Sequence, residues 1–147
     1  MDKLSRDEMF FRIAETVALR GTCPRAQVGA VLTKEGRVVS IGYNGAPPGM
    51  PECHEVECEL GPDGGCERTT HAEANTIVFA ARSGIDTDHT IMYSTHAPCY
   101  TCAKLLIGAG VRVVFFDKPY RDTRGVELLD KALVVVQQRN EFDYLSR

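Results

Sequence analysis

The 147 residues contain no apolar run approaching the ~20 that a membrane-spanning helix requires. They show no secretory leader either: the opening MDKLSRDEMFFRIAETVALRG carries charges throughout and reads as an amphipathic helix. These two absences lead us to expect a cytoplasmic protein with no membrane partner. Basic excess is also missing, with 17 Lys and Arg against 20 Asp and Glu and a net charge of -3. A chain that lives on polynucleotide backbones shows a basic balance or a long Lys/Arg stripe, so charge points to a small-molecule partner. No repeat, low-complexity tract or linker interrupts the sequence, and residues 1–147 read as one domain. Cysteine, by contrast, is plentiful, with six residues: Cys23, Cys53, Cys58, Cys66, Cys99 and Cys102. A reducing compartment disfavours structural disulfides, so such clustering points to metal or catalysis.

Apolar spacing predicts a first helix over 4–20, stopped by Gly21. VGAVLT and RVVSIGYN, separated by KEG, read as a hairpin with a Gly-containing turn. Residues 44–69 hold most of the Gly, Pro and Cys without any period, so a long loop is expected. A loop of that length needs something to order it. A helix follows from about His71 to Ser83, with Ile77, Val78, Ala80 and Ala81 available to a core and Gly84 as a left-handed C-cap. Then come HTIMYST as a strand, CYTCAKLLIGAG as a short helix, VRVVFFD as a strand, a helix over 124–131, and ALVVVQQ as the last strand. The alternation argues for an α/β protein whose sheet lies between helix layers.

HAE at 71–73 and PCYTC at 98–102 form an H-x-E…P-C-x-x-C pattern. One imidazole (His71) and two thiolates (Cys99, Cys102) make a tetrahedral zinc site with a fourth position left for water. Zinc lowers the pKa of such a water toward neutrality. Cys99 and Cys102 open a helix, where free N–H groups favour thiolate. Helical positions two apart diverge by about 200°, so His71 must sit at the cap if Glu73 is to approach the same zinc. Glu73 then carries protons between water and a leaving group. The chemistry suggested is hydrolytic removal of an amino group from a ring carbon, as in nucleobase deaminases that share this pattern.

HAEAN with APCYTC resembles the cytidine and deoxycytidylate deaminase superfamily over nearly the whole chain. QVGAVLTKEGRVVSIGYNGAPPG, CERTTHAEANTI and GVRVVFF are similar to deoxycytidylate (dCMP) deaminases in particular. The resemblance implies a three-layer α/β/α fold with a mixed sheet of about five strands. It implies deamination of dCMP to dUMP, feeding thymidylate synthesis. It assigns His71, Cys99 and Cys102 to zinc and Glu73 to proton transfer. Asn44 would bond the sugar, while the Ala72 N–H and a carbonyl near Thr95 to Ala97 (Thr95, His96, Ala97) would read the base. Arg25, with Arg121 or Arg124, would hold the 5′-phosphate, and Tyr120 would close over the substrate. Members of the family are commonly hexamers, activated by dCTP and inhibited by dTTP, with Mg²⁺ accompanying the triphosphate. The corresponding positions here are Gly42, Tyr43, Asn44, Gly45, Phe79 and Arg82, where the plain alternatives are a core Phe79 and a surface-paired Arg82.

Cys23, Cys53, Cys58 and Cys66 remain, and a second, structural Cys₄ zinc would order the long loop. His54 competes for one ligand place, and free thiols are the alternative to a metal. His89 reads as a strand-edge residue. The competing functions are a deaminase of cytosine or adenine in tRNA or single-stranded nucleic acid, and a noncatalytic zinc scaffold. Charge weighs against the first, and Glu73 beside an open zinc position weighs against the second.

Overall fold

Ser5 starts the first helix. Its hydroxyl accepts a hydrogen bond from the Glu8 N–H at 3.1 Å, so α1 runs Arg6–Ala18. Leu4, helical by its spacing, lies outside and is exposed; the Ser-x-x-Glu capping pattern marks the true boundary. A computed structural model describes residues 1–140 of the chain. After α1 come β1 (Gly29–Lys34) and β2 (Arg37–Tyr43), the expected hairpin, turning at Glu35 and Gly36. Then follow α2 (Ala72–Arg82), β3 (Thr90–His96), α3 (Tyr100–Gly108), β4 (Val111–Lys118), α4 (Arg124–Lys131) and β5 (Val135–Gln138). β5 begins at Val135 rather than Ala132 because the intervening residues end α4. The Ala132 N–H reaches Leu128 O, the Val134 N–H reaches Leu129 O, and Leu133 takes a φ of 62°. Gly84 has the left-handed φ expected after α2. His89, read as a strand-edge residue, is left-handed just before β3.

The sheet order is β2-β1-β3-β4-β5. β1 is antiparallel to both β2 and β3, while β3, β4 and β5 are parallel. β2 therefore runs parallel to β3, and the chain makes three crossovers in succession, through α2, α3 and α4, all stepping the same way. Crossovers of one hand deliver their helices to one face. On that face Ala72 and Ala80 of α2, Ala103 and Leu106 of α3, and Leu129 of α4 pack on Ala30, Leu32, Met92 and Val114. α1 covers the other face, where Phe10, Phe11 and Ala14 meet Val31 and Tyr93. The pairs Val31/Leu32 and Met92/Tyr93 divide between the faces as period-two strands require. Each fully buried side chain of this size contributes about 1.5–3 kcal/mol. The result is the three-layer α/β/α arrangement with five strands.

Two expectations change. On α2, Ile77 and Ala80 turn to the core, whereas Val78 is 55% exposed and Ala81 also faces out. At 100° per residue Val78 stands about 160° from Ala80, so the two cannot face the same core. The 44–69 loop is also more ordered than its composition suggests. It carries bridges between Gly45 and Thr70 and between Leu60 and Cys66. The Glu52 carboxylate pins its root, accepting from Thr22 Oγ1 at 2.5 Å and the Ala46 N–H at 2.9 Å. Among the described residues no helix is long and apolar enough to cross a membrane.

Candidate active site and metal centres

His71 and Cys99 are N-cap residues, of α2 and α3 respectively, both with extended backbone (ψ 153° and 171°). The extended cap resolves the angular conflict between His71 and Glu73, because His71 is not yet part of the helix. His71 Nδ1 lies 3.4 Å from Cys99 Sγ and 3.5 Å from Cys102 Sγ. Around a tetrahedral zinc with Zn–N near 2.1 Å and Zn–S near 2.3 Å, N···S separations are about 3.6 Å. The donor set therefore fits zinc in both chemistry and spacing.

Electrostatics agree with a thiolate site. The Cys99 thiol is held down to about 4, chiefly by its hydrogen bond with Cys102 and, against burial, by His71 and the Cys102 N–H. Its Sγ accepts from that N–H at 3.4 Å, the capping bond of α3. Cys102 is pushed up in turn, first by Cys99 and then by burial. His71 is raised by its hydrogen bond to Cys99. Glu73, 4% exposed, is lifted above the ordinary carboxylate range by burial. It has one side-chain partner, the Ser94 hydroxyl, which donates to Oε1 at 3.2 Å.

A cavity of ≈ 380 Å³ opens on this group. Of the sequence-derived substrate residues, Arg25, Asn44, Ala72, His96, Ala97 and Tyr120 all line it, together with His71, Glu73 and Cys99. Thr95 does not: its hydroxyl turns into the fold, accepting from the Gly29 N–H at 3.1 Å and meeting His96 Nδ1 at 2.9 Å. Asn44 is 7% exposed and braces the wall, its Oδ1 accepting from the Val28 N–H (2.7 Å) and its Nδ2 donating to Ala26 O (2.8 Å). Arg25 donates to Gly64 O, and Arg121, also on the wall, donates to Asp63 O at 3.4 Å. Arg124 lies off the cavity, held by the Asp122 carboxylate at 2.7 Å with its guanidinium over Tyr100.

The other four cysteines also meet. Cys23, Cys58 and Cys66 place their sulfurs within 4.8 Å of one another, and Cys53 Sγ is 3.5 Å from Cys66 Sγ. Cys23 and Cys58 are 3.9 Å apart. Tetrahedral Zn–S₄ geometry asks for about 3.8 Å, so Cys23, Cys58 and Cys66 have the chemistry and spacing of zinc ligands, while Cys53 adjoins them through Cys66 and stands outside the three-sulfur group. Burial pushes Cys53 up to about 12; Cys66 is held near 7 because N–H groups of Thr69 and Arg68 and the Cys53 thiol outweigh burial. His54 is exposed and stands beside Glu52 in a neighbouring groove, outside the cluster.

The expected effector positions scatter. Gly42 is pressed against α2: a Cβ there would meet Thr76 Oγ1 at 2.5 Å and Ala72 O at 2.6 Å. Glycine there is what lets β2 pack this closely on α2. Tyr43 lies under the Arg20 guanidinium in the groove beyond Cys23, and Gly45 bridges to Thr70. Phe79 is 37% exposed, belonging to neither core cluster, and Arg82 is exposed. Sequence reasoning missed Ser94, although a serine sharing the Met92 face of a buried strand was a usable signal. It also missed Thr69, Gly64 and Gly65 on the cavity wall, and Gly125 behind it, which carried no signal at all.

A sheet flanked by helices, with an imidazole, two thiolates and a buried glutamate at helix starts, defines a zinc-binding deaminase domain. The family described as "Cytidine and deoxycytidylate deaminase zinc-binding region" matches residues 4–118, and the chain belongs to it. It is 37% identical over 139 residues to ComE operon protein 2 of Bacillus subtilis, covering 94% of this chain and 73% of that one. It is 35% identical over 128 residues to the deoxycytidylate deaminase of Mycobacterium phage D29, covering 80% of this chain and 98% of that one. The crystal structure of dCMP deaminase from cyanophage S-TIM5 in complex with dCMP and dUMP superposes with a TM-score of 0.83 at 34% identity. The match spans 94% of this chain and 99% of that one.

Proposed function

We propose that this chain is a single deaminase domain with a Cys-rich insertion, hydrolysing dCMP to dUMP and ammonia. The observation that carries the reading is one cavity joining the His71–Cys99–Cys102 group and buried Glu73 to two arginines on its wall, Arg25 and Arg121. The name of the S-TIM5 relative supports the choice of dCMP.

His71, Cys99 and Cys102 would hold the catalytic zinc, and Cys23, Cys53, Cys58 and Cys66 a structural one. Zinc, when bound, supplies a water of lowered pKa as nucleophile toward C4 of the pyrimidine. Glu73 would take one proton from the attacking water and deliver it to N3. It would then take the second from the same oxygen and pass it to the amino nitrogen, which leaves as ammonia while the C4 carbonyl forms. Its raised proton affinity suits a group that must accept and return a proton, and Ser94 fixes the carboxylate in place. The Ala72 N–H in the first turn of α2 and a main-chain carbonyl of the 95–97 segment would read the base edge. Asn44 faces the sugar with the amide N–H not spent on Ala26, Tyr120 closes the mouth, and Arg25 anchors the 5′-phosphate.

We extend the proposal to a cytoplasmic homo-hexamer supplying thymidylate synthesis, regulated by dCTP and dTTP with Mg²⁺. Exposed Ile41, Val78 and Phe79 on β2 and α2 offer apolar surface for subunit contact. An effector near Tyr43 would act through Asn44 and through the Asn75 Nδ2 bond to Tyr43 O (2.8 Å). Titrating activity with dCTP and dTTP tests this; a flat response removes it.

Ammonia release from dCMP, cytidine and tRNA, measured side by side, tests the chemistry. Turnover of dCMP is expected, and preference for free cytidine or for tRNA overturns the assignment. Glu73→Ala is expected to keep its zinc and lose turnover.

A further inference from the structure

Both arginines on the cavity wall rest on the same turn of the Cys-rich loop. Arg25 donates to Gly64 O, and Arg121 donates to Asp63 O. Each end of the Arg25–Gly64 contact lies two positions from a cluster cysteine: Cys23-Pro24-Arg25 on one side, Gly64-Gly65-Cys66 on the other. Pro24 fixes one backbone torsion of the first link and so stiffens it. Cys23 and Cys66 themselves line the cavity as well as belonging to the cluster. The turn's other bonds are local: the Gly61 N–H donates to Gly65 O (2.8 Å), the Gly64 N–H to Gly61 O (2.9 Å), the Glu67 N–H to Glu59 O (2.7 Å) and the Gly65 N–H to Asp63 Oδ1 (2.9 Å). Residues 59–63 are largely exposed, and these bonds shape the turn without tying it to the sheet or the helices. A metal at the cluster therefore fixes both the root of the Arg25 side chain and the carbonyl on which its guanidinium leans.

We infer that the cysteine cluster is the positioning device for Arg25, and that its metal sets the preference for a nucleotide over the corresponding nucleoside. The inference rests on the dCMP reading and on a second zinc. One guanidinium N–H is used on Gly64 O, which leaves the remaining donors of the fork for a phosphate. A guanidinium already held at the cavity wall binds phosphate without first losing its rotamer freedom. Releasing the cluster metal frees the 63–66 turn and unseats Arg25, while the base and sugar contacts stay on α2, β3 and Asn44. The cost falls on the phosphate alone. Hydrogen bonds to charged groups imply a loss of about 10- to 100-fold.

Cys58→Ser tests this best, because Cys58 belongs to the cluster but not to the cavity wall. Zinc per chain is measured on the purified protein, with dUMP and deoxyuridine affinities by calorimetry and KM and kcat for dCMP. Zinc is expected to fall from two per chain to one. The dUMP Kd should weaken about 10- to 100-fold with deoxyuridine little changed, the kinetic loss appearing in KM. Cys58→His, which restores a zinc ligand, should recover both zinc and dUMP affinity. Arg25→Gln should reproduce the dUMP loss with two zincs retained, and adding Cys58→Ser to it should cost nothing more.

If Cys58→Ser does not fold, Gly64→Ala serves instead. Gly64 has a φ of 79° with nothing near its Cβ position, so alanine strains the carbonyl's backbone without touching a cysteine. It should weaken dUMP but not deoxyuridine with both zincs in place. Wild-type protein holding one zinc refutes the second-metal reading and the inference with it. Two zincs, with one lost in Cys58→Ser and dUMP affinity intact, refute the inference alone. Equal weakening of dUMP and deoxyuridine also refutes it.

Discussion

Gly125→Ala offers a severe test of how the catalytic metal ligands are held. Gly125 lies in the first turn of α4, where a Cβ would stand 2.2 Å from Pro98 O, 2.7 Å from the Cys99 carbonyl carbon and 2.8 Å from Cys99 O. All three atoms are backbone, so no rotamer change relieves the clash. Restoring ordinary contact distances requires a retreat of about 1 Å by α4 or by the 98–99 segment. α4 is anchored in the core by fully buried Leu129, whereas Pro98 and Cys99 belong to a loop, so the loop should yield. Overpacking costs about 1–3 kcal/mol, offset by roughly 1 kcal/mol from replacing glycine in a helix. Melting temperature should thus fall by no more than about 8 °C. Zinc sites tolerate ligand errors of only about 0.2 Å, so zinc affinity should drop about 10- to 100-fold. Zinc competition against a chromophoric chelator and a thermal melt read the two effects separately. Gly108→Ala is the control: it sits at the end of α3 with nothing within 4 Å and should be neutral or stabilising. Wild-type zinc affinity in Gly125→Ala would refute the reasoning, and a large melting shift with intact zinc binding would show that α4 moved instead.

Three further outcomes are expected. Ser94→Ala removes the hydroxyl bonded to Glu73 at 3.2 Å and should lower kcat about 10- to 100-fold with zinc content unchanged; an unaltered kcat contradicts a positioning role. His54→Ala should leave zinc content at the wild-type value while Cys53→Ala loses one equivalent, which metal analysis decides. Glu8 is held below its ordinary 4.5 by hydrogen bonding from Arg139, against burial and with help from Arg12. A depressed carboxylate stabilises the fold fully above its unfolded pKa and loses that contribution as pH falls through the folded value. Glu8→Gln should therefore cost up to about 1 kcal/mol near neutral pH, discounted for partial exposure. The gap from wild type should close as pH drops below 4.5; a constant gap excludes the ion pair as its source.

The elements were legible because their periods are local. HTIMYST, VRVVFFD and residues 124–131 needed only alternation or helical spacing, and the H-x-E…P-C-x-x-C pattern carried the zinc chemistry by residue type. What escaped was decided by tertiary approach. Gly42 and Gly125 look like ordinary glycines until Ala72 O and Pro98 O arrive beside them. Arg121 and Arg124 are equivalent in sequence, and only the Asp122 carboxylate, capturing one of them, separates their roles. The side chain of Thr95 is placed by strand alternation, which sends its hydroxyl toward Gly29 and away from the cavity.

The three crossovers have an electrical consequence. Each leaves its strand at the same edge of the sheet, so α2, α3 and α4 all begin there: His71 caps one, Cys99 caps the next, and Gly125 of the third abuts Pro98 and Cys99. A helix start carries roughly half a positive charge in its unpaired N–H groups. The main chain thus gathers positive potential at one rim of a protein whose side chains sum to -3. Thiolates, a carboxylate and an anionic ligand can share that rim, the helix starts adding to Arg25 and Arg121 on the cavity wall. Net charge, the quantity most easily read from a composition, says nothing about how such a rim treats an anion.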